Sequence, residues 1–63
     1  MSFVAEVELA DTTCTVLVTE AVDTTDAANK AWAWFEKDGE TPVESRAWRA
    51  SAKEEERLAG LAI

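Results

Sequence analysis

Thr41-Pro42-Val43-Glu44-Ser45-Arg46-Ala47-Trp48-Arg49-Ala50-Ser51-Ala52-Lys53-Glu54 is the stretch on which the fold of this chain turns. Two readings compete for it. In the first, Thr41 is an N-cap, Pro42 takes the first helical position and Glu44 closes a capping box, which opens one helix over residues 42–59 and gives a ββαα plan. In the second, Val43 to Ala50 is a strand. Ser51-Ala52-Lys53-Glu54 is then a separate capping box, opening a short helix that ends near Gly60. Local propensity favours the long helix, since Val43 is the only β-branched residue from 43 to 50. That helix would, however, set Glu54 in the apolar row of Val43, Ala47, Ala50 and Leu58. The chain upstream needs a strand here, and we take the second reading.

Upstream, Phe3, Ala5, Val7 and Leu9 alternate with Val4, Glu6 and Glu8, the period-2 pattern of a strand with one buried face. Thr12 to Ala21 is dense in β-branched residues, with Cys14, Val16 and Val18 as its apolar stripe. Ala10-Asp11-Thr12 leaves room only for a hairpin turn between them. A two-stranded hairpin is too small to be stable alone, so a third strand is needed.

Between hairpin and third strand lies a helix. Asp23 or Thr24 caps it, Asp26 sits in its first turn, and Asp38-Gly39 stops it after Lys37. At 100° per residue Ala27, Ala31, Trp34 and Phe35 share a face with Ala28 beside them, and Trp32 falls at the boundary. The expected architecture is a single α+β domain over residues 1–63. Its order is β-β-α-β-α, with a three-stranded antiparallel or mixed sheet in the order 2-1-3 packed on one helix. Trp34 and Phe35 should be buried against Val7, Val16 and Val18. The opposite sheet face would show Glu6, Glu8, Thr15, Leu17, Thr19, Glu44, Arg46 and Trp48. Leu17 and Trp48 should be partly exposed there, or covered by a second copy, because only the short C-terminal segment remains to cover them.

Composition narrows the chemistry. Among 63 residues there is one Cys and no His, which leaves neither an internal disulfide nor a zinc set. Cys14, mid-strand without a basic neighbour in sequence, reads as a small hydrophobe rather than a reactive thiol. With no Tyr, three Lys and no Gly-rich phosphate cradle, no enzyme and no cofactor is expected. The Met1-Ser2-Phe3-Val4-Ala5-Glu6 start lacks the basic and apolar regions of a signal peptide, and no apolar run reaches bilayer length. A soluble, cytoplasmic protein is expected, with no membrane partner.

Charge is the strongest functional signal. The net charge is −7. Ten of the 13 carboxylates lie in the first 44 residues, opposed only by Lys30 and Lys37. Such a field repels nucleic acid and draws in basic protein surfaces. Arg46, Trp48 and Arg49 mix cations with an aromatic ring, a combination that can stack bases, but the net charge opposes every phosphate contact. Arg46 reads instead as a cross-strand neutraliser of Glu6 or Glu8.

The passages Thr19-Glu20-Ala21-Val22-Asp23 and Arg49-Ala50-Ser51-Ala52-Lys53-Glu54, set in a small acidic β-β-α-β plan without catalytic apparatus, resemble the inhibitor proteins encoded by bacteriophages, including anti-CRISPR proteins. That resemblance implies a phage protein that inhibits host-defence machinery by binding it, with an acidic surface standing where nucleic acid would sit. The partner would be the basic surface of a CRISPR effector or another nucleic-acid-binding complex, and the location the host cytoplasm. No functional residue carries over from that resemblance. From charge and placement, the expected partner-binding residues are Glu6, Glu8, Asp11, Glu20, Asp23, Glu36, Asp38, Glu40 and Glu44, with Arg46 and Trp48 on the sheet face. A homo-oligomeric structural subunit that pairs sheet faces or edge strands is the alternative. A domain whose acidity serves solubility in concentrated salt stands behind both.

Overall fold

The computed structural model describes residues 1–63. Its elements are β1 (Phe3–Leu9), β2 (Thr13–Val18), α1 (Thr24–Lys37), β3 (Pro42–Arg49) and α2 (Ala52–Arg57), followed by one 3-10 turn at Ala59–Leu61. The sheet order is β2-β1-β3, and β1 is antiparallel to both neighbours. Residues 42–49 therefore form a strand, and the alternative helix over 42–59 does not exist. The central position of β1 explains the outcome. Phe3, Val4, Ala5, Val7 and Leu9 are all buried, on both faces, so β1 needs a partner at each edge and a cover on each side.

Each helix is bounded by the chemistry its sequence announces. Asp23 caps α1, its Oδ1 accepting the Asp26 N–H at 2.7 Å. At the other end Gly39 takes φ +88, while the Gly39 N–H donates to the Glu36 carbonyl and the Glu40 N–H to the Phe35 carbonyl. This is the Schellman arrangement, and its left-handed position is what requires glycine. Ser51 caps α2 with a complete capping box: its Oγ accepts the Glu54 N–H, and Glu54 Oε1 accepts the Ser51 N–H.

Helix α1 lies against the face of β1 and β3 with Ala27 and Ala31 fully buried, where small side chains permit close approach. Phe3, Ala5, Val7, Leu9, Val16 and Val18 complete this core, with Phe35, Cys14 and Ala47 half-buried at its margin. Two expectations are corrected here. Trp34 is not buried but 51% exposed. The helix directs Ala27 and Ala31 at the sheet, mainly over β1 and β3, which turns Trp34 onto the flank nearer β2, beside a groove at Val18 rather than in the core. Leu17 is not exposed but buried at 5%, packed with Val4 under Leu58. The C-terminal segment supplies that cover. Leu58 ends α2 over the second face, and Ala62 then pairs alongside Leu17, with the Ile63 N–H donating to the Leu17 carbonyl at 2.8 Å. No helix is long and apolar enough to cross a membrane.

Candidate functional site: an acidic pole and an open sheet face

Even-numbered residues of β1 and β3 face away from α1. On this side the register sets Glu6 between Thr15 and Arg46, and Glu8 between Thr13 and Glu44. Arg46 Nε donates to Glu6 Oε1 at 2.9 Å, a second guanidinium nitrogen contacts the same oxygen, and Glu44 Oε1 lies 4.0 Å from the third. The hydrogen bond to Glu6, then its charge, hold the guanidinium above its ordinary pKa. Arg46 thus neutralises Glu6 and leaves Glu8 and Glu44 facing each other as like charges, an arrangement that costs stability. All these groups are wet, so the pairing organises the surface more than it stabilises the fold.

Topology gathers more acid at one end of the domain. Leu9 at the end of β1 pairs with Pro42 at the start of β3, and the Asp38–Thr41 link ties the C-terminus of α1 to the same end. Glu8, Asp11, Glu36, Asp38, Glu40 and Glu44 therefore share one pole, opposed by Lys37 and, at its sheet margin, by Arg46. Glu8, Asp11, Glu36, Asp38, Glu40 and Glu44 are all exposed. The pole also receives the C-terminus of α1, the negative end of the helix dipole, with Lys37 as the cation of its last turn. This convergence was invisible as linear charge.

Other residues expected at the site go elsewhere. Glu20 and Asp23 lie at the opposite end, between β2 and α1. There Asp23 is occupied as the α1 cap, and the Glu20 carbonyl accepts Lys30 Nζ at 2.6 Å. Asp26 lies beside them, its pKa lowered by the Val22 N–H at 3.0 Å and then by Lys30 at 3.3 Å. Trp48 is 39% exposed, but its indole Nε1–H donates to Glu54 Oε2 at 3.0 Å, which fastens α2 to β3. Sequence reasoning also missed an apolar groove of about 380 Å³ between α1 and the end of β2, with Trp34 beside Val18, Ala33 and Ile63.

The Trp48–Glu54 contact gives a pH prediction. The Glu54 pKa is lowered from its ordinary 4.5, first by the Trp48 indole donor and then by the Ser51 N–H. A carboxylate depressed on folding lends stability that is present above its unfolded value and is lost as pH falls through the folded one. The Trp48 indole proton should therefore titrate by NMR with a midpoint below 4.5. A midpoint at or above that value would break the assignment.

No protein-family model, no curated protein and no solved structure matches this chain.

Proposed function

We propose that this chain is a protein-binding inhibitor whose acidic pole and adjoining open sheet face occupy a basic, nucleic-acid-binding surface on a host-defence or nucleic-acid-processing complex, as an anti-CRISPR protein would on a CRISPR effector. The supporting observation is the gathering of Glu8, Asp11, Glu36, Asp38, Glu40 and Glu44 against only Lys37 and Arg46, the latter already paired with Glu6, at the negative end of α1. A row of exposed carboxylates offers a basic groove what a phosphate backbone offers it: closely spaced, solvated negative charge with oxygen acceptors. Charges of this kind steer association and set specificity, and each alone contributes little affinity.

The test follows from the geometry. Glu8, Glu36 and Glu40 have no side-chain hydrogen bond or ion pair, so reversing all three to Lys should leave the fold intact. A partner retained from a lysate at low salt by the wild-type chain should be lost with the triple variant, and released from the wild type as salt rises past the physiological range. Retention unchanged by the reversal and by salt would move the binding surface to the apolar groove beside Trp34.

A further inference from the structure

The two edges of the sheet are finished differently. β2 is partly shielded by the tail, where Ala62 bridges Leu17 and Thr19 Oγ1 donates to the Ile63 carbonyl at 3.2 Å. No strand lies beyond β3. The Ala50 N–H donates to the Ser2 carbonyl at 3.0 Å, and the register of Phe3 with Arg49 sets Ser2 opposite Ala50. In an antiparallel ladder the inward-bonded residues then alternate through Ala50, Trp48, Arg46 and Glu44. The N–H and C=O groups of Ser45, Ala47 and Arg49 point outward, along an edge that is open from Glu44 to Arg49 and is closed at its start by Pro42 and the register shift beside it. Val43 on that edge is 58% exposed.

We propose that β3 is a homodimer interface: two copies pair antiparallel along this edge, with the two-fold axis through Ser45, making a continuous six-stranded sheet. Charge selects the register. A two-fold antiparallel pairing that matches outward groups to outward groups places its axis on a residue. An axis at Glu44 or at Arg46 sets like charges face to face. An axis at Ala47 makes no ion pair and overlaps less of the strand. With the axis at Ser45, Glu44 lies opposite Arg46 of the second copy, twice over. Each Glu44, which within its own chain faces Glu8, gains a cation directly across the new seam.

The helix layer leaves room for this. A groove of about 320 Å³ runs along the junction of α1 and β3, lined by Thr25, Ala28, Asn29, Ser45, Arg46 and Ala47, where Ser45 Oγ donates to the Ala28 carbonyl at 2.9 Å. Because α1 packs on the β1–β3 side and shows small residues toward the edge, the second helix can approach to helix-packing distance across the axis. This inference goes beyond the proposed inhibition and is independent of it. Glu44 belongs to both the pole and the seam, but reversal of Glu8, Glu36 and Glu40 tests the pole without replacing a seam residue, so loss of either property is measurable apart from the other.

The experiment is sedimentation equilibrium of the full chain from micromolar to near-millimolar concentration, with amide hydrogen exchange at both extremes. The wild type should dimerise, and more tightly as salt screens the repulsion between two copies of net charge −7. The Ser45 and Ala47 amides should exchange freely when dilute and become protected when concentrated. Glu44→Arg relieves the contact with Glu8 inside one chain but sets two like-charge pairs across the seam. It should weaken the dimer at least about tenfold while leaving circular dichroism unchanged. Paired Glu44→Cys and Arg46→Cys substitutions in a Cys14→Ala background should crosslink the two copies, since directly opposite non-hydrogen-bonded residues come within disulfide range. A chain that stays monomeric throughout, or a dimer whose Ser45 and Ala47 amides remain unprotected, would overturn the interface. Crosslinking through Arg46→Cys and Trp48→Cys in place of the first pair would overturn the register.

Discussion

Phe3→Ala is expected to destabilise the domain by about 3–5 kcal/mol, measured as the loss of unfolding free energy in urea. Phe3 is 3% exposed at the start of the central strand, between Val18 on one neighbour and Arg49 on the other. A chain of this length has a total stability of roughly 3–9 kcal/mol, so the loss is about a third of the whole or more. Trp34→Ala is the informative contrast. Its ring is larger, yet half of it faces water on the flank of α1, so the loss should stay below about 1 kcal/mol. Equal costs for the two substitutions would mean that α1 turns Trp34 inward and Ala31 outward.

The second large effect is expected at Leu58. Its side chain closes the face of the sheet opposite α1 by packing on Val4 and Leu17, so Leu58→Ala should cost about 2–4 kcal/mol. The loss should be visible locally before it is global. With α2 no longer held down, the Trp48 Nε1–H bond to Glu54 should open, and both the indole proton shift and the exchange protection of the Ile63 amide should change together. A variant with native stability and an unmoved Trp48 signal would show that α2 and the tail do not cover the sheet.

The parts of this fold that could be read from the sequence are those written in local chemistry. Asp23, Asp38-Gly39 and Ser51-Ala52-Lys53-Glu54 mark helix ends through groups that act within a few residues, and α1 begins and ends where they place it. The period of β1 and the need of a hairpin for a third strand were enough to decide residues 42–49 against their own propensity. Two features were not legible because they depend on distance across the fold. The roll of α1 is set by the close approach of Ala27 and Ala31 to the sheet, and a helical wheel treats Trp34 and Ala31 as equals on one face. The cover over Leu17 comes from Leu58, whose approach depends on the path of a six-residue helix. The same holds for the candidate site. The acidity of the first 44 residues is plain in the sequence. Only topology separates Glu20 and Asp23, kept at the far end by capping and backbone contacts, from the six carboxylates gathered around Lys37.

The proposed function rests on one claim, that the acidic pole stands where nucleic acid would. Competition tests it most directly. A basic protein captured by this chain at low salt is loaded with increasing nucleic acid, and the amount of chain still bound is measured at constant ionic strength, so that screening is not mistaken for displacement. Mutually exclusive occupancy is the predicted result, with nucleic acid displacing the wild-type chain and the chain displacing nucleic acid in the reverse titration. A ternary complex, in which the partner holds its nucleic acid and this chain together at undiminished affinity, would contradict it.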